Sequence, residues 1–485
     1  RMLHFRVFPR CRVASAKGGR DTGCMPRFIN MRACLRALST TVALTVASSA
    51  ACDDSLAGPF AVSQRSVTVT RANGSTFTAQ VRYPATGTAA GAPFASGAAP
   101  APALSFGHGF LSSVDLYDST MDHLASHGYI VIATTSEGGL FPSHSNFALD
   151  IRQCLTYLAE QDGIATSWLS GAVDEQAFAV GGHSMGGGAS ALAAAADARI
   201  KCMVTLAAAE TNPSSTAAAG SIQVPSCFIV GSQDAIVAPA TTQNQFNACD
   251  APRVFATITG GSHCGFIDSP IIACDSGSIP RAEQLAKTRA LMLGFLQTHL
   301  RGDAARFASV WGAGPGVAGT TASRDPRMTA GFSTSTVEVP FDAVIPITVS
   351  VTNTGPDATA FRLRNASPGA GGFALEFTPA ESPMLAAGAT AELTAWVQPL
   401  KAGTYDGAID VVRMRDGAGA SRAIGVTVAG GPASPADLNG DGTVDAADLA
   451  TLLNAWGKCD GCAADFNGNG SVDAADLAEL LNAWN

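Results

Sequence analysis

Three residues can do chemistry together in this chain: Ser184, Asp234 and His263. Ser184 stands in V-G-G-H-S-M-G-G-G-A-S (180–190), flanked by Gly182 and Gly186 as G-x-S-x-G. The apolar run "AFAV" leads into the glycines, and an alanine-rich, helix-favouring stretch leaves them. A serine on so sharp a strand-to-helix turn holds strained backbone angles. Glycine at both flanks removes the clash that bulkier residues would meet, and the hydroxyl stays exposed. Asp234 follows the apolar run of "CFIVGSQDAIVAP", and His263 that of "VFATITGGSHCGF". Serine, acid and histidine in that chain order, each at a strand end, suit nucleophile, orienting group and general base. Serine alone is a weak nucleophile. His263 would take its proton and return it to a leaving alcohol, while Asp234 would hold the imidazole tautomer and stabilise the imidazolium. Acyl transfer of this kind needs two backbone N–H donors for the oxyanion. Met185, directly after the serine, offers one, and Phe110 in "GHGF" the other.

Competing groups are less well placed. Asp268 follows His263 and is the runner-up acid. Asp174 precedes the serine strand and caps or anchors it. His183 should face away from the serine by strand alternation, and His108 should shape its loop. His123 and His127 fall on a helix and are expected at the surface.

These residues need a scaffold that ends several strands at one edge. Residues 60–303 alternate strand and helix signals. "SVTVTRANGSTFTAQVRYP" is a hairpin turning at Asn73-Gly74, and "RAEQLAKTRALMLGFLQTHL" is the last of several helices. Strands separated by helices predict a mainly parallel α/β sheet, and the serine turn makes it an α/β-hydrolase fold. Residues 304–327, rich in Gly, Ala and Pro, read as a linker. Residues 328–430 carry about seven strand signals and predict an immunoglobulin-like β-sandwich, a spacer or binding module.

The end of the chain is a repeat: "ADLNGDGTVDAADLATLLNAWG" and "ADFNGNGSVDAADLAELLNAWN". Asp437, Asn439, Asp441, Asp445 and Asp448 occupy positions 1, 3, 5, 9 and 12 of a calcium loop, with Thr443 at position 7. Asp465, Asn467, Asn469, Ser471, Asp473 and Asp476 repeat the set. Ca²⁺ is a hard cation that takes six to eight oxygens, and this spacing wraps them round one point. The expected cofactor is therefore structural Ca²⁺, with none for catalysis.

Composition narrows the function classes. Of 485 residues, 47% are apolar and 14% charged, so several sizeable cores form and wholesale disorder is excluded. The net charge of −9, with no Lys/Arg-rich block in the body, argues against nucleic acid as partner. No apolar run of about 20 residues follows the N-terminal region, so no later membrane span is expected. Residues 1–30 read as translated upstream sequence and 31–52 as a signal peptide, with Arg32 and Arg36 before "ALSTTVALTVASSAA". The chain should be secreted, or attached to the cell surface as a lipoprotein through Cys52. Of its 12 cysteines, eight lie beyond Cys52, an even number that fits disulfides in an exported protein. Cys264–Cys274 and Cys459–Cys462 are the nearest pairs. Cys154, Cys202, Cys227 and Cys249 are the remaining candidates.

Residues 436–485 resemble a type I dockerin, which implies a cohesin-like partner. The positions that help recognise the cohesin hold Ala446-Ala447 and Ala474-Ala475 in place of the usual polar pair. "GHGF…MDHLASHGYIVIATTS", "GGHSMGGG", "VGSQDAIVAP" and "GGSHCGF" are similar to the bacterial cutinase and PET-hydrolase group of dienelactone-hydrolase-like enzymes, across roughly residues 65–300. The resemblance implies a monomeric serine ester hydrolase in which Phe110 and Met185 line the cleft, with polyester among its substrates. The family's tryptophan after the strand of "MVTLAAAE" is replaced by Ala207, Ala208 and Ala209, and "TNPSSTAAAGS" is a longer insertion there. Without that clamp, flexible aliphatic polyesters should be cleaved better than rigid aromatic ones. The alternatives are an esterase or lipase of small esters and lipids, and a scaffold-attached binding protein with an inactive hydrolase domain.

Overall fold

The computed structural model describes residues 54, 56–314, 316–367, 371–430, 434–440 and 442–484. The expected upstream segment, the expected signal peptide with Cys52, and Asp441 of the first expected calcium loop lie outside the described residues.

Short apolar runs build one nine-stranded sheet. Its strands are β1 (Ala61–Thr70), β2 (Thr76–Ala85), β3 (Ala101–Gly107), β4 (Ile130–Thr134), β5 (Val173–His183), β6 (Ile200–Leu206), β7 (Ser226–Gly231), β8 (Arg253–Ile258) and β9 (Thr320–Asp325), in the order β1-β2-β4-β3-β5-β6-β7-β8-β9. β3 to β8 run parallel, with β1, β2 and β9 antiparallel to their neighbours. The crossovers are helices α1 (Asp118–Ser126), α2 (His144–Gly163), α3 (Met185–Ala196), α4 (Ser215–Ala219), α5 (Pro239–Ala248), α6 (Arg281–Leu300) and α7 (Ala304–Trp311). Every residue of β3 is buried, as a strand covered on both faces requires.

Successive side chains point to opposite faces of the sheet. Val180, Met203 and Phe228 pack with α2, α3 and α5 on one face; Ala179, Val204 and Ile229 pack with α1, α6 and α7 on the other. The disulfide expectation is corrected in part. Cys264–Cys274 and Cys459–Cys462 are bonded, whereas Cys154, Cys202, Cys227 and Cys249 are buried free thiols. Cys154 and Cys249 belong to one face of the sheet, and Cys202 and Cys227 to the other.

Residues 304–327 are not a linker. They form α7, whose Phe307, Val310 and Trp311 are buried, and β9, which pairs with β8 and covers the open edge that strand would otherwise leave.

Beyond β9 the strands are β10 (Met328–Phe332), β11 (Thr336–Val339), β12 (Ile345–Asn353), β13 (Phe361–Asn365), β14 (Phe373–Phe377), β15 (Thr390–Pro399), β16 (Gly403–Arg413) and β17 (Gly419–Val428). They form two four-stranded sheets, β10-β12-β15-β14 and β11-β17-β16-β13. Alternate residues such as Ile347, Val349 and Val351 meet Ile409, Val411 and Val426 in a shared core. The eighth strand, β10, was not legible because "MTAGF" has little β-branched character. The sandwich seats on the nine-stranded domain through Phe307 and Ala418, and His299 binds the Asp416 carbonyl at 3.1 Å. Burial pushes the His299 pKa down to about 4.

The C-terminal repeat gives helices α8 (Ala446–Asn454) and α9 (Ala474–Asn482), each opened by a capping box, Asp445 with Asp448 and Asp473 with Asp476. Between them β18 (Gly457–Lys458) and β19 (Ser471–Val472) pair. The buried core here is small: Ala436, Val444, Leu452, Ala464, Val472 and Leu480. No helix among the described residues is long and apolar enough to cross a membrane.

Candidate active site

β5 delivers Ser184 into the turn before α3 with φ 56° and ψ −118°. A non-glycine residue there costs on the order of 1–3 kcal/mol, so its surroundings must hold it. They do: Ser184 N–H donates to the Leu206 carbonyl at 2.9 Å, and its own carbonyl accepts from Gly188 at 3.1 Å and Ala209 at 2.9 Å. The flanking glycines answer a tertiary demand as well as a local one. A Cβ on Gly186 would lie 2.1 Å from the Gly107 carbonyl oxygen, and one on Gly182 would lie 2.6 Å from it. The end of β3 therefore presses directly on the serine turn.

Asp234 follows β7 and His263 follows β8. His263 Nδ1 and Asp234 Oδ2 are 2.7 Å apart, and both side chains are nearly fully buried. The other carboxylate oxygen of Asp234 accepts the N–H groups of Ile236 (3.0 Å) and Val237 (2.8 Å), so the acid is held from two directions. The Ser184 hydroxyl makes no hydrogen bond among the described residues; such contacts are commonly long before substrate binds and tighten afterwards. Met185 opens α3, where an N–H has no helical acceptor, and the Phe110 N–H is also without an acceptor among the described residues. Phe110, Ser184 and Met185 share a cleft of about 480 Å³ with Leu140, Phe141 and Pro142. A larger cavity of about 730 Å³, where the nine-stranded domain meets residues 415–417, contains none of Ser184, Asp234 and His263.

The runner-up groups fall away. Asp268 accepts the Ser119 N–H at 2.8 Å and the Ser119 hydroxyl, pinning the start of α1 and not the histidine. Asp174 accepts the Gln176 N–H at 3.0 Å. His108 contacts the carbonyls of Gly109 (2.8 Å) and Ser136 (2.9 Å), a loop-shaping role. Two expectations need correction. His123 is buried, not at the surface, because α1 packs that side against the sheet and α6; burial pushes its pKa down to about 4. His183 does not face away: its ring centroid lies 4.4 Å from that of His263. Burial, and then His263 itself, holds His183 well below the ordinary imidazole range, so it stays neutral.

Several contributors had no local signal. The Tyr117 hydroxyl accepts the Gly109 N–H at 2.9 Å and contacts His183 Nδ1 at 2.9 Å, linking the Phe110 loop to the serine strand. Gln284 on α6 binds both the N–H (2.9 Å) and carbonyl (2.7 Å) of Ser262, next to His263. Phe141, 96% exposed, supplies an aromatic ring to the cleft from the loop after β4. Ala207 and Ala208 are fully buried, and a Cβ on Gly187 would meet Ala208 at 3.0 Å. Ala209, by contrast, is partly buried and lines the cleft.

The two C-terminal loops have matching geometry. Gly442 and Gly470 take φ of 88° and 85°, and their N–H groups donate to Asp437 and Asp465, each at 2.8 Å. Asp448 and Asp476 fold back onto the N–H groups of Leu438 and Phe466, each at 2.8 Å. The donors are all oxygen and fit a hard cation. Among the described residues no three acidic, His or Cys side chains stand close enough to hold a metal by themselves.

A parallel sheet between helix layers, with a strained serine where a strand passes into a helix, defines an α/β-hydrolase. A family model described as PET hydrolase-like matches residues 40–272, and one for the type I dockerin domain matches residues 435–485. Residues 40–272 are thus similar to PET hydrolase-like proteins, a family that suggests an ester hydrolase, and residues 435–485 to type I dockerin domains, which typically bind calcium structurally. No curated protein matches the chain.

Proposed function

We propose that the chain is a secreted serine carboxylic-ester hydrolase that cleaves polyesters. Ser184 attacks the ester carbonyl while His263 removes its proton and Asp234 stabilises the imidazolium. The Phe110 and Met185 N–H groups hold the oxyanion. The protonated His263 then passes its proton to the leaving alcohol, and water repeats the sequence on the acyl-enzyme. The observation that carries this reading is the 2.7 Å Asp234–His263 contact beside the serine turn. An organophosphonate should label Ser184, as read by peptide mass, and block hydrolysis of p-nitrophenyl esters and polycaprolactone film. Hydrolysis that survives stoichiometric labelling would overturn it.

Leu140 and Phe141 extend an apolar wall from the cleft, suited to an extended chain with few charges. Phe141→Ala should slow hydrolysis of aromatic polyester by about twofold to tenfold, the value of one ring contact of roughly 0.5–1.5 kcal/mol. It should leave polycaprolactone nearly unaffected. Equal losses on both films would remove the stacking role.

The eight-stranded sandwich acts as an immunoglobulin-like spacer, and the dockerin-like repeat attaches the enzyme to a cohesin-bearing scaffold outside the cell. Asp437, Asn439, Asp441, Thr443, Asp445 and Asp448 would hold one Ca²⁺, and the equivalent set from Asp465 to Asp476 a second. With so small a core, folding there depends on the metal. Chelation should melt residues 436–485, seen as lost protection in hydrogen exchange, without changing ester turnover. An activity loss that calcium restores would refute this independence.

A further inference from the structure

The acid and base loops leave different strands, and one short segment binds both. We propose that Asp275 is a positioning residue for ester hydrolysis: its carboxylate sets the spacing of the Asp234 and His263 loops and places a second negative charge beside the imidazole. This rests on the assignment of Ser184, Asp234 and His263 above. One oxygen of Asp275 accepts the N–H of Ala235, next to Asp234, at 3.0 Å and the N–H of His263 at 2.9 Å. The other accepts the N–H of Cys264 at 2.9 Å. Hydrogen bonds to a charged acceptor are shorter and stronger than neutral ones, and three converge here.

The segment that carries Asp275 is itself anchored. Cys274 is bonded to Cys264, ten residues back. The Ser278 N–H lies 2.9 Å from the Gly260 carbonyl in the base loop and 2.7 Å from Gln233 Oε1 in the acid loop. A Cβ on Gly277 would come within 2.0 Å of the Gly260 carbonyl oxygen, so the strap lies hard against the base loop. Gln284 grips that loop as well but touches it alone, whereas Asp275 spans both.

Charge adds to geometry. Burial works against the Asp275 carboxylate, but the three N–H donations outweigh it and hold the group below the usual carboxyl range. Around His263 stand Asp234 at Nδ1, Asp275 at its backbone N–H, His183 with its ring centroid 4.4 Å away and Tyr117 behind it, and Arg281, which donates to the Cys264 and Ile267 carbonyls. An anion close to an imidazole favours its protonated form, and removing the anion shifts that balance toward the neutral base.

The test uses the full chain, with kcat, KM and Tm measured on p-nitrophenyl butyrate from about pH 5 to 9. Asp275→Asn should lower kcat by about tenfold to a hundredfold, the scale of a small misplacement of catalytic groups, with KM little changed. Its acid-limb midpoint should move to lower pH. Asp275→Glu, which keeps the charge, should restore the midpoint. If Asp275→Asn does not fold, Asp275→Ser is read in the same way. An unmoved midpoint in the neutral variants, whether or not Tm falls, overturns the proposal. Ser184→Ala is the companion control. If it is active, the triad reading fails; if it is dead while Asp275→Asn behaves as wild type, only the positioning role fails.

Discussion

Ser184→Ala should abolish ester turnover and leave the fold standing. Loss of a triad serine costs about 10⁶ in kcat in a serine protease where all three members were removed in turn. A drop of at least about 10³ is the expectation here, since the oxyanion donors and the cleft survive the change. Stability should hold for a reason visible in the site. The hydroxyl has no hydrogen-bond partner among the described residues to leave stranded, and the strained turn is fixed by backbone bonds to Leu206, Gly188 and Ala209. Alanine tolerates φ 56° about as poorly as serine does, so the variant inherits the strain without adding to it. The measurement is kcat on p-nitrophenyl butyrate with Tm recorded in parallel. A loss below about a hundredfold with an unchanged Tm removes Ser184 as the nucleophile.

Asp234→Asn should lower kcat by about 10⁴ through the wrong histidine tautomer. The direction follows from how the carboxylate is held. One oxygen already accepts the N–H groups of Ile236 and Val237, so the amide oxygen of an asparagine must take that place. Its NH₂ then faces His263 Nδ1, where the carboxylate oxygen stood at 2.7 Å. A donor opposite Nδ1 makes that nitrogen the acceptor and puts the ring proton on Nε2, the atom that must take the proton of Ser184. Asp268→Asn is the control. Its carboxylate binds Ser119 and should affect the seating of α1, leaving kcat within a few-fold of wild type. The reverse result, with Asp268→Asn inactive and Asp234→Asn active, would transfer the acid role to Asp268.

Much of the site was legible because its signals are local. The glycines around Ser184, the strand-then-acid run at Asp234, the strand-then-histidine run at His263 and the twin calcium loops each lie within about a dozen residues. A short stretch of chain is enough to specify a turn, a cap or a metal loop. What a local stretch does not specify is whatever depends on a remote partner. His123 was expected at the surface because helical periodicity does not say which neighbours will cover a face. The linker reading of 304–327 failed because its composition is loose, while the need it meets, an uncovered β8 edge, belongs to the sheet.

The sequence by itself therefore determined the chemistry on offer: a serine in a turn that demands glycine, an acid and a histidine in working order, and oxygen-rich loops spaced for a hard cation. Tertiary structure decided what surrounds that chemistry. Cys154, Cys202, Cys227 and Cys249 are buried free thiols, divided by the pleat between the two faces of the sheet. Ala209 of the alanine run lines the cleft, and the aromatic rings there come from Phe110 and Phe141, far earlier in the chain. Asp275 became a bridge because two strand ends lie side by side in the sheet, a proximity that arises only once β7 and β8 have paired.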